Sequence, residues 1–503
     1  VLILPRSRPF LIRWVALAGA VLTFAAALGL LAGFDTGRPG LQWRTRLPWI
    51  PPVNAAYDVG VNGFSLALIL LTAWLLVTVM VYVLRNDNRP KGHAALFLLM
   101  ATGLLGVFAA QDLLLFYLFF EVGLVPMYFI IGIWGHDNRR YAAMKFFLYT
   151  RAASLAMLLS FLALYLLMEP HTFSLPAIIE AQPLAQAGGA GGWVMLGMLI
   201  GFGVKLPTVP LHNWLPDAHV EAPTEGSVML AGIQLKMGAY GLLAIMLPIM
   251  PQVVFDYAWL LLALALVSLV YGSLAALAQQ DLKRLIAYTS INHMGYIMLA
   301  GALAVLAPTA GTQELALNGG IYQIISHGLL TGGMFFAVGM IQDQTGTREM
   351  GRLSGLSRQA SAFSLLTGVL VFGSLGLPGL SGFIGEFQVL GAAVSWNLWI
   401  AGVALVALVI TTGLYLRIVI SVLWGEPRTG TGAMKEPEGR KLAVMGSLVM
   451  LSLWLGLLSA GLLGVIKRPS GVWRQDETLG AHPRAYPGGG MLAIGTPCRL
   501  GAG

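Results

Sequence analysis

Long apolar runs follow one another through almost the whole sequence, at about 12–34, 63–84, 94–110, 113–134, 144–168, 192–214, 227–249, 256–279, 285–306, 319–341, 361–395, 397–424 and 441–466. A helix of about 20 apolar residues spans the roughly 30 Å hydrocarbon core of a bilayer. Backbone polar groups find no water there and must bond within their own segment, so runs of this kind fold as helices. The chain reads as an all-α polytopic membrane protein with about 13 crossings.

Composition points the same way: 57% of the 503 residues are hydrophobic and 10% are charged, against roughly 25% charged in soluble domains. The formal charge of +8 does not imply a nucleic-acid partner, because the basic residues fall in the short gaps between apolar runs, where topology accounts for them. The one cysteine, Cys498, stands in a Gly-rich tail. That excludes an internal disulfide framework, a zinc cluster and cysteine-held iron–sulfur ligation. Arg6, Arg8 and Arg13 precede an apolar stretch from Val15 to Phe34 without a small-residue cleavage site, which reads as a first membrane helix and not a signal peptide.

Two runs are interrupted, one by Pro207 and Pro210, the other by Gly376, Pro378, Gly379 and Gly382. Both are expected to be broken helices. Each is the fourth of five successive crossings, and an odd number inverts the second set relative to the first. Inverted repeats with matching broken helices point to a transport site near the bilayer midplane. The chain divides accordingly into amino-terminal helices (1–93), a first five-helix repeat (94–249), a second, inverted repeat (256–424), a last helix (425–468) and a disordered tail (469–503). Arg85, Arg89, Lys91, Arg139, Arg140, Lys283, Arg284, Arg348, Arg352, Arg440 and Lys441 lie in connections on one side, while loops on the other hold Arg38, Arg44 and Arg46. The excess of positive charge marks the cytoplasmic side and places the amino end there.

Ionisable residues inside such runs cost roughly 2.5–3.5 kcal/mol each on insertion scales, so each deep one needs a reason. Glu121 lies about eight residues beyond Leu113, roughly 12 Å into the membrane; it reads as a proton carrier or the partner of a buried lysine, or else as a protonated carboxyl bonded to a neighbouring helix. Lys205 precedes the Pro207 break, where freed carbonyls and water would solvate its ammonium; the plainer reading is a snorkelling anchor. Lys236 is too far from either end of its run to snorkel, which makes it the strongest candidate. His293 and His327 each stand about eight residues into a helix and suit a relay, although a buried histidine is more often a packing residue. Glu386 follows the second break as the counterpart of the Lys205 region.

Other polar residues have ordinary explanations. Asp112 reads as a helix cap, with a relay as the alternative, and Lys283 and Arg284 read as interfacial anchors. His212, Asp217 and His219 flank a break with spacing that fits no standard metal site. Nucleotide fingerprints and phosphate cradles are absent from the sequence, so no NADH site is expected in this chain.

The stretches DLLLFYLFFEVGLVPMYFIIGIWG, KFFLYT, VKLPTVPLHNWLPDAHVEAPTEGS, QLKMGAYG, AQQDLKRLIAYTSINHMGY, SHGLLTGGMFF and GLPGLSGFIGEF carry a resemblance to the subunit M (chain 4 type) family of antiporter-like subunits of bacterial NADH:quinone oxidoreductase, respiratory complex I. The resemblance runs from the first apolar run to the last. It implies fourteen helices in two inverted repeats and a polar axis through Glu121, Lys205 and Lys236 to Glu386. It also implies proton translocation in the bacterial inner membrane, driven by electron transfer elsewhere, with other membrane-arm subunits as partners. FMN, iron–sulfur clusters and quinone are then expected in partner subunits and none in this chain. Glu386 stands where related subunits and antiporters typically carry Lys, and Asn62 where the family usually shows Asp. The family has one more helix at its amino end, so the chain, which begins at Val1, reads as lacking it. Rival readings are a subunit of a multi-subunit cation/proton antiporter, the membrane subunit of a hydrogenase or ferredoxin-driven complex, and a structural spacer.

Overall fold

The computed structural model describes residues 1–466 apart from 6, 39, 86–87, 186–187 and 428–433. The expected disordered tail from 469 onward lies outside the described residues, as do Arg6 and Cys498. Each apolar run folds as helix: α1 (Pro9–Ala32), α2 (Gly63–Tyr82), α3 (Pro90–Ala109), α4 (Leu113–Trp134) and α5 (Arg139–Leu167). The first broken run gives α6 (Gly189–Lys205) and α7 (Trp214–Glu221), followed by α8 (Thr224–Ile249), α9 (Ala258–Leu277), α10 (Leu282–Leu306) and α11 (Ala310–Thr345). The second broken run gives α12 (Ser361–Ser374) and α13 (Ser381–Trp396), and α14 (Leu398–Leu423) and α15 (Gly439–Leu457) complete the set. Among the described residues, eleven helices are long and apolar enough to cross a membrane. This is an α-helical membrane bundle, and the two breaks fall where Pro207, Pro210 and the Gly376–Gly382 segment place them.

The bundle has a definite interior. The apolar windows of α8, α10 and α11 are 94%, 94% and 100% buried, against 17% for α1. These three helices form the centre, and their polar side chains find partners among themselves, on backbone carbonyls and on the helices packed around them.

The chain is not wholly helical. β1 (Gln42–Ile50) and β2 (Ala55–Val61) pair as an antiparallel hairpin between α1 and α2. The Asp58 carboxylate is buried beneath it and accepts from Arg44 Nε and Nη2 at 2.9 and 2.7 Å. Asn62 closes the hairpin and opens α2 with a reciprocal cap: its side-chain oxygen accepts from the Ser65 amide at 2.9 Å, and Ser65 Oγ accepts from the Asn62 amide at 2.9 Å. An uncharged amide performs this task as well as a carboxylate, which explains why Asn suffices at this position. Asp112 caps α4 as expected, accepting from the amides of Leu114 and Leu115 at 3.0 and 3.1 Å, and it also ties down Ala56 of the hairpin at 3.1 Å.

Candidate functional site: a row of buried ionisable groups

α8 is not a regular helix around its lysine. π-helical turns at Leu230–Gln234 and Gly241–Met246 flank Lys236. Such turns loosen the backbone ladder and recur at functional sites. Here the Ala231 carbonyl, five residues upstream, accepts from Lys236 Nζ. The same nitrogen lies 2.6 Å from His327 Nδ1 on α11, and Lys236 is entirely buried.

From His327 the row continues to α10. The His327 and His293 rings meet edge to face with centroids 5.6 Å apart. His293 Nδ1 is 3.0 Å from Glu386 Oε1 on α13. The Gln323 amide, one turn before His327, donates to the same carboxylate oxygen at 3.1 Å. Tyr415 OH sits 3.4 Å from His293 Nε2 and donates to Thr289 Oγ1 at 3.2 Å. A cavity of about 10 Å³ is lined by His293, Gln323, His327 and Glu386, about the space one water needs. His327 Nε2, Gln323 Oε1 and Glu386 Oε2 are buried without partners among the described residues, which gives such a water polar groups to bond.

The second break positions Glu386. Gly376 has a φ of +81°, and a Cβ there would lie 2.8 Å from Glu386 Oε2. Glycine is required twice over, for the left-handed backbone and for the room. Four residues singled out in the sequence, Lys236, His327, His293 and Glu386, are thus brought together on four helices.

Lys205 and Glu121 stand differently from expectation. The carbonyls near the first break do not solvate Lys205: Val204 O accepts from Trp214 Nε1 at 2.9 Å, and Gly203 O from the Thr208 amide at 2.8 Å. Among the described residues Lys205 Nζ has no hydrogen-bond partner, and it lies over Phe146, Phe120 and Trp214, at 4.9, 5.8 and 5.9 Å from the ring centroids. An aromatic cage of this kind holds a cation through the ring quadrupoles. Gly238 allows the approach of α6 to α8, since a Cβ there would meet Phe202 O at 2.5 Å and Lys205 Cβ at 2.9 Å. The Glu121 carboxylate acts on Lys205 through space, but its direct partner is Arg151 on α5, at 2.6 Å, with Ser154 Oγ donating to its other oxygen at 2.5 Å. The sequence reading paired Glu121 with Lys205 and passed over Arg151, an ionisable residue within an apolar run and so detectable by the signal that found Lys236.

Lys283 corrects the anchor reading. It is 1% exposed and donates to Ala222 O at 2.5 Å, while Arg284 turns outward within 3.6 Å of Asp217. Successive helix residues point about 100° apart, so only one of the two cations reaches the interior. The residues once weighed as metal ligands are dispersed: His212 packs on Tyr271, His219 stacks on Phe335 and Asp217 pairs with Lys145.

The fold and site together define a membrane bundle with a row of buried bases and acids at its centre. The chain belongs to the NADH:quinone oxidoreductase/Mrp antiporter transmembrane family, whose model matches residues 110–411. It is 38% identical over 456 residues to NADH-quinone oxidoreductase subunit M of Rhodobacter capsulatus, covering 88% of this chain and 87% of that one. It is 36% identical over 446 residues to F(420)H(2) dehydrogenase subunit M of Methanosarcina mazei, covering 87% and 88%. A chain of respiratory complex I from Thermus thermophilus superposes with a TM-score of 0.83 at 31% identity, over 94% of this chain and 96% of that one. A chain of the Mrp complex from Dietzia sp. shares the fold, with a TM-score of 0.81 at 21% identity over 94% of each.

Proposed function

We propose that this chain is a proton-translocating membrane subunit of an NADH:quinone oxidoreductase, set among other membrane-arm subunits in a bacterial inner membrane with its amino end cytoplasmic. The observation that carries this reading is the row Lys236–His327–His293–Glu386, in which a 2.6 Å contact at one end and a 3.0 Å contact at the other are joined by a small cavity that both histidines and Glu386 line. Relatives named as subunit M of such oxidoreductases support it.

The chemistry follows from the donors and acceptors present. A Lys236 ammonium donates to His327 Nδ1; passing that proton on makes His327 an imidazolium, whose Nε2 proton faces the cavity. A water there carries it to His293 or Glu386, and His327 is left neutral with Nδ1 protonated. Histidine suits this exchange because its two nitrogens take and release protons on opposite faces of the ring. Glu386 Oε1, 3.0 Å from His293 Nδ1, accepts from that nitrogen once it carries the proton. Each charge moved against 100 mV costs roughly 2.3 kcal/mol. The driving energy comes from electron transfer in partner subunits, where FMN, iron–sulfur clusters and quinone belong, and this chain supplies the proton path alone. Glu121 and Arg151, at the flank of the bundle, receive the neighbouring charge shift first and pass it to the buried Lys205.

Isolation of the chain with its native partners tests the assignment. The complex is expected to oxidise NADH, reduce quinone and move protons across a sealed membrane. A complex that exchanges sodium for protons without NADH oxidation contradicts the assignment and favours the antiporter.

A further inference from the structure

Among the described residues, four carboxylates are buried, with less than about a tenth of their surface exposed: Asp58, Asp112, Glu225 and Glu386. Asp58 is held by arginines of the hairpin and Asp112 by backbone amides. The remaining two each face a histidine. Glu386 lies 3.0 Å from His293, and Glu225, in the first turn of α8, lies 2.8 Å from His93 Nε2 in the first turn of α3. The two arrangements are chemically alike: Glu225 stands on α8 eleven residues before Lys236, and Glu386 ends the row that Lys236 begins.

The groups between Glu225 and Lys236 are themselves ionisable and buried. Lys283 acts electrostatically on Glu225. His219, in the last turn of α7, feels both Lys283 and Lys236. Neither ring nitrogen of His219 has a partner among the described residues, and its ring is held flat against Phe335 at 4.5 Å. On the outer side, Tyr82 lies in the field of Glu225 and donates to Asp343 at 3.4 Å. Asp343 is half exposed at the end of α11 and pairs with Lys441 at 3.3 Å. Tyr82, His93, Glu225, Lys283, His219 and Lys236 are all buried, and Asp343 is the exposed member of the group.

We propose that His93 and Glu225 form a proton-loading site that supplies Lys236 by way of Lys283 and His219. One proton arrives from the aqueous side through Asp343 and Tyr82 and resides on the pair as imidazolium and carboxylate. It leaves inward, so the pair returns to neutral imidazole and carboxylate with no other bond made or broken. This proposal rests on the reading of the chain as a proton path. A pair that merely ties α3 to α8 would need only its hydrogen bond.

Glu225→Gln separates the two, since the amide keeps the volume and a hydrogen bond to His93 but carries no negative charge to hold the imidazolium. The assay is the number of protons moved per NADH oxidised by the whole complex in inside-out membrane vesicles, normalised to the amount assembled. The expected result is loss of the share of protons that passes through this chain; an unchanged ratio overturns the loading site. If E225Q does not assemble, H93Q is judged by the same ratio, and failure of both to assemble makes the pair structural and overturns the proposal. Lys236→Met, run beside them, separates the two readings. If K236M loses protons and E225Q does not, the loading site alone fails. If neither does, the proton path itself fails.

Discussion

The Glu121 carboxylate meets the Arg151 guanidinium at 2.6 Å on the half-exposed flank of α4 and α5, with the Arg151 side chain 42% exposed near the middle of its helix. An arginine at that depth is costly to present to hydrocarbon, which points to a protein neighbour on this flank. The pair also fixes the charge nearest Lys205, whose ammonium has aromatic rings and no carboxylate in direct contact.

Removing Arg151 should therefore act through Glu121. Arg151→Leu is expected to slow NADH-driven proton movement, and the double variant with Glu121→Gln should be no slower than E121Q alone. A double-mutant cycle of turnover rates in membranes measures this, with a coupling of about 0.5–3 kcal/mol expected for contacting residues. Additive losses would mean that the two residues act independently.

Gly376→Ala tests the second break. The new Cβ would press on Glu386 Oε2 at 2.8 Å in a backbone with φ of +81°, at a cost of about 1–2 kcal/mol for the left-handed conformation. Proton movement should fall more than assembly does, because the displaced carboxylate leaves His293. Native gel analysis of assembly beside the proton-to-NADH ratio distinguishes that from simple loss of the complex.

His136, in the connection between α4 and α5, is lowered from 6.5 to about 4, chiefly by burial and further by Lys283 and Arg348. The folded chain keeps the ring neutral where an unfolded chain takes up a proton. The sign is then fixed: stability from this residue is complete above about pH 6.5 and is lost as the pH falls towards about 4. Thermal inactivation midpoints between those limits should fall with pH in the unmodified complex, and H136Q should flatten that dependence.

The sequence disclosed the helices because water-free segments have to be apolar, and it disclosed Lys236, His293, His327 and Glu386 because each is ionisable inside such a segment. The same reasoning located both breaks from their prolines and glycines. Other parts were hidden for physical reasons. His93 and Glu225 fall at helix ends, where polar residues are ordinary, and only the close approach of α3 and α8 makes them a buried pair. The π-helical turns beside Lys236 leave no composition signal, since the residues LAGIQ suit an α-helix equally well. The hairpin lay in a connection whose QWRTRLPWI segment is too short and too rich in proline nearby to compete with the apolar runs. Lys283 and Arg284 are adjacent cations, and the helix turn alone decides which is buried.

Lys236→Met is the most direct test of the account, because it keeps the length of the side chain and removes the only ammonium in contact with His327 among the described residues. Protons moved per NADH oxidised should be measured for the assembled complex in sealed inside-out vesicles. The account predicts loss of the protons that pass through this chain. An unchanged ratio in a fully assembled complex would contradict it.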